Sequence, residues 1–168
     1  MRRAHLLFDL DGTLVDSCEG IAVSLRAALR TCGLAAQPEV GREMVGPPLR
    51  ELLAPWLPPG DAQLLARATE AFKAHYDEAG FLLAAPFDGV EAMLVALARA
   101  GIATSVVTNK RAAPARAIID GLGWGRFFER IYALDSWNPV APSKAEALSR
   151  VLKQYGLRAD ETWYVGDR

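Results

Sequence analysis

Short apolar runs that each stop at a polar residue set the rhythm of this chain. Ala4 to Phe8 is such a run. It ends at Asp9, and Gly12-Thr13 breaks it, which predicts a short buried strand. Ile102 to Val107 is apolar and rich in β-branched residues and predicts a second strand, closing on Thr108-Asn109. Ile131 to Leu134 predicts a third, ending at Asp135, and Thr162 to Val165 a fourth, ending at Gly166-Asp167. Between them the apolar spacing changes from a period of two to a helical one. Gly89 to Ala100, Ala112 to Leu122 and Ser143 to Tyr155 predict helices, the first closed by Gly101 and the last by Gly156. Near-continuous apolar strands alternating with helices predict an α/β fold, a Rossmann-like three-layer parallel sheet covered by helices.

The stretch between the first two strands has a different pattern. Glu19 to Thr31 carries Ile21, Leu25, Ala28 and Leu29 at helical spacing, with Asp16-Ser17 placed to cap it. Beyond Gly33, Pro38, Pro47-Pro48, Pro55 and Pro58-Pro59-Gly60 cut the chain into short pieces. Asp61 to Glu78 predicts a longer helix, with Gly80 as its stop. Residues 17–84 are therefore expected to be an inserted α-helical domain, and residues 1–16 and 85–168 the core.

Composition narrows the function classes. With 168 residues, 51% of them hydrophobic, the chain can bury a core. A net charge of −1 carries no basic footprint for nucleic acid. No apolar stretch approaches the ~18 residues of a membrane span, and Leu6-Leu7-Phe8 is too short for a signal-peptide core. Cys18 and Cys32 are not spaced as metal ligands, so a cytoplasmic protein with reduced thiols is expected. The expected partner is a small molecule, and the expected state a monomer or weak dimer.

In open parallel sheets, ligands bind at the carboxyl ends of the strands. Here those ends hold Asp9, Thr108, Asp135 and Asp167. Two carboxylates two residues apart, Asp9 and Asp11, reach one crevice if the chain turns between them. That arrangement suits phosphoryl transfer: Asp9 as the oxygen nucleophile, Asp11 as acid and then base. Gly12 lets backbone approach a phosphate.

Phe8-Asp9-Leu10-Asp11-Gly12-Thr13-Leu14-Val15-Asp16-Ser17 resembles the first motif of the haloacid dehalogenase superfamily, and most of all its phosphoglycolate-phosphatase-like branch. The later motifs follow in order. Taken singly, Thr108-Asn109 reads as a turn and Lys144 as a solvated helix residue. The resemblance instead makes Thr108, with Asn109 beside it, and Lys144 the phosphoryl-binding groups. It makes Asp9, the Asp11 backbone carbonyl and Asp167 the Mg²⁺ ligands. It implies a Mg²⁺-dependent phosphatase that hydrolyses a small phosphate monoester through an aspartyl-phosphate. The insertion corresponds to the family's α-helical cap, in which Arg50, after Gly46-Pro47-Pro48, could meet a substrate carboxylate; Glu19 and Tyr76 are weaker candidates. A β-phosphoglucomutase-like transfer is the alternative, since those relatives keep both aspartates. The chain stops at Arg168, before a further motif-four acid, helix and strand. That makes a truncated protein with weak Mg²⁺ binding and slow turnover the expectation, with a catalytically impaired binding module as its extreme.

Overall fold

A computed structural model describes residues 4–35 and 38–166. The chain divides into two compact units, Met1–Asp16 with Ala85–Arg168, and Ser17–Ala84.

The first unit is built on a parallel sheet. Its strands are β1 (His5–Phe8), β4 (Ala103–Thr108), β5 (Arg130–Ala133) and β6 (Thr162–Val165). Their order is β5-β4-β1-β6, with β1 paired to β4 and β6 in parallel register. The first-synthesised strand thus lies inside the sheet, which is why its residues are almost all buried. His5 satisfies its ring there by a 3.0 Å hydrogen bond between Nε2 and Ser105 Oγ. Helices α4 (Val90–Arg99), α5 (Ala112–Gly121) and α6 (Lys144–Tyr155) join the strands. Leu7 and Val107 pack with Tyr132, Ala147 and Val151 on the α6 side. Phe8 and Val106 alternate to the other face and are equally buried.

A feature absent from the sequence reading is a two-stranded antiparallel ribbon, β2 (Val15–Asp16) with β3 (Ala85–Pro86). It joins the two points where the chain leaves and re-enters the core unit.

The second unit is helical: α1 (Cys18–Thr31), the single turn-and-a-half α2 (Leu49–Leu53) and α3 (Ala62–Glu78). Leu25, Leu29, Leu53, Ala68 and Phe72 form its core. Asp61 caps α3 by accepting the Leu64 N–H at 2.8 Å. Ser17 holds the N-cap position of α1 without a side-chain bond to the helix, so the expected cap is positional only. Gly80 does not end α3 either. Ala79 is the C-cap, and Gly80 opens a 3-10 turn that presses against α1. A methyl at Gly20 would overlap the Gly80 carbonyl oxygen, so the two glycines serve close backbone packing. His75 is a helix-face residue held by Ser24 Oγ at 3.0 Å.

Candidate active site

The site forms at the carboxyl end of the sheet in the core unit. β1 delivers Asp9, whose backbone N–H still donates to Val165 O of β6 at 2.9 Å. The chain then turns sharply. Leu14 N–H and Val15 N–H both return to Leu10 O, and Gly12 N–H donates to Val15 O. Gly12 takes φ +79°, in the left-handed region that favours glycine. This loop is what brings Asp11 back beside Asp9.

Each carboxylate meets a lysine. Asp9 is buried; its Oδ1 accepts from Leu10 N–H at 2.8 Å, and its Oδ2 pairs with Lys144 Nζ. Lys144 is the first residue of α6, whose N-cap Ser143 accepts the Glu146 N–H at 3.2 Å. Lys110 Nζ pairs with Asp11 Oδ2 at 3.1 Å, and both side chains are largely shielded from solvent. Lys110 was not foreseen. The only signal in the sequence is its place two residues after Thr108, where a solvated lysine is the default reading.

Thr108 ends β4 fully buried, and its Oγ1 accepts the Lys110 N–H at 3.1 Å. That bond uses a lone pair and leaves the hydroxyl proton free for an acceptor in the crevice. Asn109 is exposed beside it. Asp135 serves elsewhere: its Oδ1 accepts the Ala112 N–H at 2.9 Å, so this strand-end carboxylate anchors the start of α5. Arg50 is exposed on α2 in the helical unit. Asp167 lies outside the described residues.

Electrostatics follow from the burial. Desolvation pushes the Asp9 carboxyl above its ordinary value, against the opposing pull of the Lys144 ammonium. Desolvation also works against the charge on Lys144, but pairing with Asp9 outweighs it and holds the ammonium above its usual range. Two carboxylates and two ammonium groups thus sit together with their charges matched.

The family described as haloacid dehalogenase-like hydrolase matches residues 6–168. The chain belongs to the haloacid dehalogenase-like hydrolases. It is 35% identical over 165 residues to the tyrosine-protein kinase PtkA of Mycobacterium tuberculosis, covering 97% of this chain and 55% of that protein. It is 34% identical to the phosphoglycolate phosphatase of Rhodospirillum rubrum, covering 96% of this chain and 70% of that one. Among solved structures, a predicted phosphatase from Clostridium acetobutylicum superposes with a TM-score of 0.83 at 25% identity, covering 100% of this chain and 77% of that one. The chain therefore spans little more than half the length of the kinase relative and about three quarters of the solved one.

As for a metal, Asp9 and the Asp11 carbonyl are hard oxygen donors, the type Mg²⁺ takes. Among the described residues no group of three or more His, Cys, Asp or Glu side chains gathers to hold an ion. The donors present fit Mg²⁺ in kind, and they leave room for water or substrate oxygens in its shell.

Proposed function

We propose that this chain carries the active site of a phosphatase for a small phosphate monoester, working through an aspartyl-phosphate on Asp9. The observation that carries the reading is the paired arrangement at the strand ends, Asp9 with Lys144 and Asp11 with Lys110. Both Asp9 oxygens are held by hydrogen bonds in the ligand-free site. A phosphate dianion attracts Lys144 away from Oδ2, and that exchange frees the oxygen that attacks phosphorus as the ester bond breaks. Thr108 donates its hydroxyl to an equatorial oxygen, and Lys144 neutralises charge there. Asp11 in its protonated form gives its proton to the leaving oxygen, and the carboxylate this leaves takes one from the water that cleaves the acyl phosphate. Asp9, the Asp11 carbonyl and Asp167 are the residues proposed to hold Mg²⁺, which when bound offsets the charge between phosphate and nucleophile.

The helical unit is proposed as a cap that selects the ester, with Arg50 as a contact for a substrate carboxylate. Phosphoglycolate is the compound named for several relatives, and it carries such a group. The test is a panel of phosphate esters assayed for phosphate release with Mg²⁺. One ester should be hydrolysed by the wild type and by none of the Asp9→Asn protein. Release that survives Asp9→Asn would sink the reading.

A second reading rests on the 35% identity to a protein named as a tyrosine kinase. Asp11 as a base could activate a tyrosine hydroxyl in place of water. Incubation with ATP and a Tyr-containing peptide separates the two: phosphotyrosine favours the kinase, free phosphate the phosphatase.

A further inference from the structure

We propose that Tyr164 is an additional phosphate-binding residue, whose phenol O–H donates to the phosphoryl group held by Lys144. The proposal rests on the phosphatase reading of the site. Tyr164 stands on β6 directly opposite Leu7 of β1, so it lies on the same face as α6 and the core beneath Lys144. Lys144 Nζ sits 5.7 Å from the centre of its ring, within cation–π range. The lysine is therefore bounded by the Asp9 carboxylate and the Tyr164 ring.

The phenol oxygen is the anomaly. It is buried and has no hydrogen-bond partner. Buried hydroxyls are nearly always paired, because leaving one unpaired forfeits its bonds to water. The oxygen is also not stranded in the apolar core. A Cβ built at Gly166 would lie 2.8 Å from it, so it reaches the C-terminal end of β6, level with the site. Gly166 keeps an ordinary backbone conformation among the described glycines. Its missing side chain therefore serves space: any side chain there would displace the ring. A free donor beside a cation and a nucleophile suits an anion that arrives, and a tetrahedral phosphate has oxygens to spare for it.

Tyr164→Phe separates this from a packing role, because the ring stays and only the donor goes. The probe is inorganic phosphate with Mg²⁺, titrated calorimetrically into wild type, Tyr164→Phe and Lys144→Met. Thermal melting of each ligand-free protein runs alongside. The proposal expects Tyr164→Phe to bind phosphate about 10-fold more weakly than wild type, with an unchanged or higher melting temperature. Lys144→Met should bind more weakly still. Equal phosphate affinity in wild type and Tyr164→Phe, with Lys144→Met impaired, overturns the role of Tyr164 and leaves the phosphatase reading standing. No binding by folded wild type, or binding untouched by Lys144→Met, overturns the phosphate reading and this proposal with it.

Discussion

Lys110 Nζ lies 3.1 Å from Asp11 Oδ2, and the two side chains shield each other from solvent. The pair spans the two loops that close β1 and β4, so it ties the two strand ends together. Lys110→Met leaves the Asp11 carboxylate poorly compensated in a sheltered place. Removing one member of a buried pair costs about 3–5 kcal/mol, and partial solvation here brings that to roughly 2 kcal/mol. Urea unfolding should show that loss, and Lys110→Met combined with Asp11→Asn should recover part of it.

Lys144→Met should be more damaging to turnover than to stability. It removes the cation paired with Asp9 Oδ2, the oxygen proposed to attack. A loss of about 10²–10³ in kcat is expected for a group that stabilises transition-state charge. Steady-state phosphate release measures it, and a variant within twofold of wild type would contradict the assigned role.

Gly20→Ala tests the packing of the helical unit. The added methyl would collide with the Gly80 carbonyl oxygen, which belongs to backbone and cannot swing aside. Overpacking of this kind costs about 1–3 kcal/mol. A chain of this size should lose roughly 2–4 °C in melting temperature for each of those, and differential scanning calorimetry reads it.

Tyr132 sets an alkaline limit. Burial first, and then Tyr155, push its phenol above the ordinary value of 10.0. The unfolded chain ionises near that value, while the folded chain resists until higher pH. The stabilising contribution is therefore complete below about pH 10 and drains away as pH rises further. Tyr132→Phe should flatten the fall in stability above pH 10, followed by urea midpoints at stepped pH.

The α/β fold was legible because buried parallel strands leave continuous apolar runs, and every one of these runs stops at a polar residue. The ribbon of Val15–Asp16 with Ala85–Pro86 was not, since two residues carry no period. Gly80 looked like a helix stop because glycine serves both purposes; only the neighbouring backbone of Gly20 tells them apart. Asp135 looked equivalent to Asp9 at a strand end, but a sequence does not say which way a carboxylate turns, and this one turns to Ala112 N–H. Lys110 and Tyr164 were missed for a related reason. Each owes its place to a partner from another element, Asp11 in the loop after β1 for one and Lys144 at the start of α6 for the other. Asp9, Asp11, Thr108 and Lys144 were expected from their motifs to share one crevice, and the structure brings all four to the same end of the sheet.

The central claim is that Asp9 accepts the phosphoryl group, and beryllium fluoride, which mimics an acyl phosphate, tests it most directly. Fluorine NMR of the wild type with Mg²⁺ and beryllium fluoride should show protein-bound resonances that vanish in Asp9→Asn and on chelating the metal. Bound resonances that persist in Asp9→Asn, or none at all in wild type shown to be folded, would contradict it.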